Sequence, residues 1–515
     1  MGDTPLWARP EGVYAITFGY LLLHFLLRMA FGEVLGIDDA EQALFAQQFE
    51  WSYRYRAPPL FTWILLALQN FMDPGILPIS LIRYALLAGI YLFTYWTARL
   101  LIEDQRLSAL ATYGLATVYV YGVYSHHDLT HTTMLAVGLA IAWYAAIRIK
   151  RSPSWQWYAL LGLASAIGLL GKWNFVIFLV AVLVVAIANP DLRRSVVFKP
   201  QFLVAAGILL IFTVPTVYST IYWSGETNDS VANAIGAQDG FLVANLLGAL
   251  AKALGIFIVY PLPFAILAIA CFWPSLDRHF LTPVSAASRA ASSDIALMFR
   301  VMIVASVIFL AIVLAFGAGA VTERMLQPAL YPITILFFAL IAERKPGDKQ
   351  IRYMASWVAV VVAISFIARI ATFAAEPFSC DTCRTHIPVA DLAEELKQAG
   401  FDRHGTIVVE DHHLGGNLRA QFPEARIADL EQSFRFWSKP SMTDGNCVFV
   451  QKLKNGRTIK PGTWADFESF LTDTLSGKPK EFYKEQITDL RMPGLSDRTM
   501  RYAYRVYENG NGECR

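Results

Sequence analysis

The sequence predicts a polytopic α-helical membrane protein of about eleven transmembrane helices with a small C-terminal outer domain of α/β or α+β class. Three observations predict it. Of 515 residues, 55% are hydrophobic and only 16% charged, where an ordinary soluble domain carries roughly 25% charge. Apolar runs close to the ~20 residues that cross a bilayer recur between residues 12 and 373, among them VYAITFGYLLLHFLLRMAFG, FVIFLVAVLVVAIA and VMIVASVIFLAIVLAFGAGAV. Beyond them the composition turns polar, which divides the chain into a membrane part, 1–374, and a soluble part, 375–515.

The first run, residues 12–31, reads as a permanent span. It carries His24 and Arg28, and no small-residue cleavage site follows a short apolar core. The other spans fall near 76–100, 106–124, 129–148, 155–171, 173–188, 201–221, 244–272, 298–318, 326–342 and 352–373. PPLFTWILLALQNFM, residues 58–72, is short for a crossing and reads as interfacial or re-entrant. Lys and Arg in the short connections set the orientation. One set of connections holds about sixteen, in RIKRSP, NPDLRRSVVFK, the 274–300 segment, ERKPGDKQIR and at Arg9, Arg99 and Arg106. The opposite set holds about four: Arg54, Arg56, Lys172 and Arg324. The basic-rich side is expected in the cytoplasm, and an odd number of spans then places 375–515 outside. No basic block or nucleic-acid signature is present, so nucleic acid is not an expected partner.

In the outer domain VADLAEELKQAGF reads as an amphipathic helix, apolar at Val389, Leu392, Ala393, Leu396 and Ala399. GTIVVED reads as a strand, and NCVFVQKLKNGRTI as a strand and turn. Four of the five cysteines lie there: Cys380, Cys383, Cys447 and Cys514. In an oxidising compartment they suit up to two disulfides, with the pairing open; free thiols are the alternative. Cys271 stands alone in a span.

Ionisable groups at a membrane are costly and usually functional. Here they gather in the connections of one face. GIDDAEQALFAQQFEWSYRYR gives Asp38, Asp39, Glu41, Arg54, Tyr55 and Arg56; SHHDLTH gives His126, His127, Asp128 and His131; GKWN gives Lys172; TERMLQP gives Glu323 and Arg324. Cations in a low-dielectric site stabilise a leaving phosphate, and a carboxylate accepts a proton from an attacking hydroxyl. Plainer readings stand beside these. The acids suit a helix N-terminus, Lys172 suits snorkelling to headgroups, and Trp51, Tyr53, Tyr55 and Trp63 suit an interfacial belt or a sugar platform. His126 and His127 are adjacent with no second ligand motif, and DHHLGG at 411–416 is equally weak, so no metal is assigned.

The order of DDAEQALFAQQ, YRAPPLFTW, HHDLTHTTMLAVGLAIAWY, GLLGKWNFVIF and ERMLQPALYPI, over roughly residues 10–345, resembles the membrane glycosyltransferases of the GT-C fold. The branch is that of the protein mannosyltransferases, with bacterial lipid A aminoarabinose transferases and rhizobial core galacturonosyltransferases as nearer kin. The resemblance implies a polyprenyl-phosphate sugar as donor, taken from the outer leaflet, and transfer with inversion. It places the family's first-loop acid on Asp38 with Asp39 as its acidic partner, the second-loop acid on Asp128, and donor phosphate ligands on Lys172 and Arg324. Arg56 and Arg54 are further phosphate candidates, and His127, Glu323 and Tyr55 are substrate-binding candidates. Aminoarabinose transferases have a lysine directly before Pro-Pro; here that position is Ala57, which tilts the resemblance towards the galacturonosyltransferases.

The expected protein is thus an inverting transferase of the bacterial inner membrane with its active site and tail in the periplasm. Its partners would be the bilayer, a polyprenyl-phosphate sugar as substrate, and lipid A or lipopolysaccharide core as acceptor, with no cofactor. A protein or another envelope glycan is the second acceptor class. The rival from another class, a transporter or flippase, calls for charges at mid-bilayer, broken helices and inverted repeats, for which the sequence gives no convincing sign.

Overall fold

A computed structural model describes residues 4–53, 58–127, 129–222, 243–277, 289–316, 321–380, 383–401, 404–430, 446–453, 486–494 and 497–507. The chain divides into two compact units: residues 1–24, 54–60 and 83–367, and residues 25–53, 61–82 and 368–515. The second unit therefore takes in most of the connection after the first span together with the tail.

Among the described residues six helices are long and apolar enough to cross a membrane: Pro10–Ala30, Ile76–Leu101, His131–Arg151, Phe202–Tyr222, Ser293–Phe316 and Asp348–Ser379. Two bent pairs, Phe175–Ala188 with Pro190–Val197 and Glu323–Leu330 with Ile333–Ala342, bring the number to as many as eight when each pair is counted as one broken span. The count of eleven is not confirmed by these helices, and two of the expected stretches differ in form. The 106–124 stretch is not one helix: it runs as Gln105–Tyr113, a tighter turn Gly114–Thr117, and a single turn Tyr119–Gly122. The last turn folds back so closely that a Cβ on Gly122 would lie 1.8 Å from the Ala116 carbonyl oxygen. The 244–272 stretch is two helices, Val243–Val259 and Phe264–Asp277, parted where Pro261 and Pro263 interrupt the backbone donors. Residues 58–72 form a nine-residue helix, Leu60–Leu68, about 13 Å long at 1.5 Å per residue and too short to cross.

In the first unit His131–Arg151 and Trp155–Gly171 form an antiparallel hairpin. Small residues let the backbones approach, the usual solution where lipid removes the hydrophobic drive between helices. A Cβ on Gly138 would meet the Gly168 Cα at 2.6 Å, and one on Gly171 would meet the Leu135 nitrogen at 2.9 Å. At the other end of the hairpin Asp294, 1% exposed, accepts hydrogen bonds from Lys150 Nζ and, at 2.8 Å, from Arg151 Nε. A carboxylate buried to that degree is retained only when paired.

The second unit holds a mixed five-stranded sheet in the order β2-β1-β3-β5-β4, with β1 Thr406–Val409, β2 Arg426–Asp429, β3 Cys447–Leu453, β4 Gln486–Arg491 and β5 Thr499–Tyr507. β1 pairs in parallel with β2 and β3; β5 runs antiparallel to β3 and β4. A parallel pair needs a crossover, and the helix His412–Gln421 supplies it between β1 and β2. The helix expected in VADLAEELKQAGF spans Val389–Gln398 and buries Val389, Leu392, Ala393 and Leu396. The core beneath also contains Val34 and Leu44 of the first connection. Cys380 and Cys383 are bonded to each other. Cys447 is disulfide-bonded too; Cys514 lies outside the described residues. Cys271 is a free thiol.

Candidate active site

Asp38 and Asp39 occupy the first turn of the helix Ile37–Phe45, behind an extended Gly36. Unpaired N–H groups at a helix start favour acids there. Asp38 is half-buried, whereas Asp39 is 0% exposed. One turn on, the buried Gln42 accepts a hydrogen bond from Thr62 Oγ1 at 2.6 Å. The lead-in is fastened from behind. Arg28 donates to the Val34 carbonyl at 2.6 Å and to the Gly32 carbonyl at 3.4 Å, and Gly32 turns the chain with φ of 100°, a conformation that favours glycine.

The cationic candidates belong to the first unit. Lys172 directly follows the helix Trp155–Gly171 and is extended. Because the hairpin is antiparallel, this end meets the start of His131–Arg151, and Lys172 Nζ donates to Thr132 Oγ1 at 3.1 Å. Two residues on, Asn174 Nδ2 donates to the Met325 carbonyl at 3.3 Å. That bond ties the Lys172 turn to the turn Glu323–Leu326, which carries the half-buried Glu323 and Arg324. The turn before Thr132 separates two adjacent histidines. His126 is fully buried, stacked on His24 with centroids 3.8 Å apart and hydrogen-bonded through Nε2 to the Tyr20 hydroxyl at 2.7 Å. His127 is half-exposed. His126 therefore packs the turn. Arg54, Tyr55, Arg56 and Asp128 lie outside the described residues. Among the described residues no three His, Cys, Asp or Glu side chains gather to hold a metal ion.

Residues 56–219 match the family described as dolichyl-phosphate-mannose-protein mannosyltransferase. Over 422 residues the chain is 28% identical to the lipopolysaccharide core galacturonosyltransferase RgtB of Rhizobium johnstonii, covering 81% of this chain and 83% of that one. It is 27% identical over 412 residues to RgtA of the same organism, a lipopolysaccharide core galacturonosyltransferase, covering 79% and 80%. The crystal structure of ArnT from Cupriavidus metallidurans bound to undecaprenyl phosphate superposes with a TM-score of 0.58 at 15% identity, over 96% of this chain and 98% of that one. The chain is a membrane glycosyltransferase of the GT-C fold. The family match includes Lys172 and Thr132 of the transferase; Asp38, Asp39 and Arg324 lie outside it.

Sequence reasoning missed the residues of the transferase that hold the acidic helix in place. DHHLGG, weighed there only as a weak metal motif, is instead the crossover helix on which that helix rests. His413 Nε2 donates between the Leu35 and Arg384 carbonyls, 3.0 Å from each. The legible signal was Gly415-Gly416 inside a helix, which costs about 1 kcal/mol per glycine relative to alanine and calls for a packing reason. Burial lowers the His413 pKa; Lys452 adds to this, against Asp411 and the two carbonyls, which raise it. The folded state thus binds a proton less readily than the unfolded chain. Its contribution to stability is complete above the unfolded value of about 6.5 and is lost as pH falls through the lower folded one. The protection factors of residues 32–47, exchange rates corrected for the intrinsic pH dependence of amide exchange, are expected to fall between pH 7 and 5 in the wild type, and His413→Gln should flatten that dependence. An equal fall in protection in both proteins would remove His413 as the cause.

Proposed function

We propose that the transferase moves a sugar from a polyprenyl-phosphate donor to lipopolysaccharide core or lipid A, with inversion, at the periplasmic face of the bacterial inner membrane. Similarity over about four-fifths of the chain to two lipopolysaccharide core galacturonosyltransferases carries this reading, and galacturonic acid is the sugar it favours. Ala57 in the place of a lysine before Pro-Pro supports the same branch. In the proposed step the acceptor oxygen attacks the anomeric carbon while the bond from that carbon to the lipid phosphate breaks. Lys172 and Arg324, on turns tied by Asn174 and Met325, take up the charge of the leaving phosphate. Such donors act most strongly where water is excluded. Asp38 orients the acceptor and takes its proton; for a phosphate acceptor, already ionised, it only orients. Asp39, with no exposed surface, supports the helix rather than meeting substrate.

Mass spectrometry of lipid A and core oligosaccharide from deletion and complemented cells tests the reading. The expected result is a missing sugar mass, restored by the wild-type gene and not by Asp38→Asn. No difference in either fraction would overturn the acceptor assignment.

A further inference from the structure

We infer that the C-terminal domain positions the acidic helix for catalysis, with Asn417 as the principal positioning residue; this rests on the function proposed above. The helix Ile37–Phe45 has nine residues, below the ~12–15 at which an isolated helix becomes even marginally stable in water. Its place is therefore set by tertiary contacts, and within the second unit, beside the Thr62–Gln42 bond, the tail supplies them at three levels.

At the N-terminal end Asn417, 1% exposed, grips Leu35 by both backbone groups. Its Oδ1 accepts from the Leu35 nitrogen at 2.7 Å, and its Nδ2 donates to the Leu35 carbonyl at 3.1 Å. A second Nδ2 bond, to the His413 carbonyl at 2.8 Å, fixes the amide itself. Leu35 stands three residues before Asp38. In the middle the two helices touch through backbone. A Cβ on Gly416 would lie 2.0 Å from the Ala40 carbonyl oxygen, and one on Gly415 would lie 3.5 Å from Leu44 Cδ1. At the far end Gln47 pairs with the edge strand β2, its Nε2 donating to the Ile427 carbonyl at 3.0 Å and its Oε1 accepting from the Ile427 nitrogen at 2.8 Å. Val34 and Leu44 are buried in the same core as Ile407, Leu414 and Val450. The two carboxylates are thus carried on a segment held before, along and after the helix by a domain that is remote in sequence. A displacement of 1 Å in a catalytic group costs on the order of 10²-fold in rate, so a grip of this kind acts on turnover.

The test uses full-length protein in lipid nanodiscs with undecaprenyl-phosphate galacturonic acid and with lipid A–core from the deletion strain. Asn417→Ala is expected to lower kcat by roughly 10²-fold with the donor KM kept within about twofold, because the donor phosphate ligands are untouched, and to accelerate hydrogen exchange across residues 32–47. Gln47→Met, which loosens the other end, serves as the second variant should Asn417→Ala fail to fold, with the same direction expected. Faster exchange with kcat unchanged overturns the positioning role, as does unchanged exchange. A parallel rise in donor KM also overturns it, since that is general loosening. Wild-type protein inactive on this donor and acceptor overturns the proposed function instead, and the two failures are told apart by the wild-type rate alone.

Discussion

Asp38→Asn lowers transfer by roughly 10²–10⁴-fold, the range for removal of a positioned acid–base group, while the protein accumulates in the membrane at the wild-type level. The two adjacent acids are not equivalent. Asp38 is half-buried on the first turn of its helix, and Asp39 is wholly enclosed. The amide keeps the volume and most hydrogen-bonding capacity of Asp38 but cannot accept a proton as a carboxylate does. Helix packing, which depends on Leu35, Ala40 and Leu44, is left alone. Asp39→Asn is expected to show itself first in faster hydrogen exchange of the helix, since a group with no exposed surface acts through its surroundings. Turnover of Asp38→Asn within a fewfold of wild type would dismiss the assignment. If the acceptor oxygen belongs to a phosphate, the loss should sit at the lower end of the range and be insensitive to pH between 6 and 8.

Lys172→Ala is the second large effect. Removing one charge-stabilising donor from a water-excluded site costs about 10²–10³ in kcat. Here the ammonium is presented by a turn that the Gly138–Gly168 contact and the bond to Thr132 hold in place. The apparent affinity for the polyprenyl-phosphate donor should fall as well, because the lipid phosphate is bound before it leaves. Lys172→Arg should recover part of both, since the charge is kept and the geometry altered. Single-turnover measurements with donor in excess separate binding from chemistry. Donor affinity and rate both unchanged in Lys172→Ala would assign the residue to headgroup contact alone.

Hydrophobic content and the runs of apolar residues made the membrane class legible, and Pro10–Ala30, Ile76–Leu101 and His131–Arg151 lie close to the stretches expected. The number of spans was less legible where the chain is apolar without being regular. Residues 106–124 read as one apolar stretch, yet the chain breaks at Gly114 and folds back at Gly122, where the turn brings the Gly122 backbone against the Ala116 carbonyl. The expected strands in GTIVVED and NCVFVQKLKNGRTI and the helix in VADLAEELKQAGF were found in place, since each short segment is amphipathic or continuously apolar on its own account. Cysteine content suited disulfides with the pairing open, and the structure bonds Cys380 to Cys383, three residues on. In the candidate site the charged residues were visible one by one, because ionisable groups stand out in an apolar chain. His126 was visible also, yet its burial against His24 and Tyr20 was not.

The sequence by itself determined that this chain is a polytopic membrane protein with a polar tail, that its candidate site residues lie in the connections, and which known transferases it resembles. These follow from composition, local periodicity and short motifs, each readable within a few neighbouring residues. Tertiary structure alone decided which of the two acids is enclosed, that Asn174 ties the Lys172 turn to the turn bearing Arg324, and that Asn417 holds Leu35 across 382 positions of chain. Such pairings depend on how hairpins and crossovers return the backbone to itself, and no local pattern of residues encodes the partner at that separation.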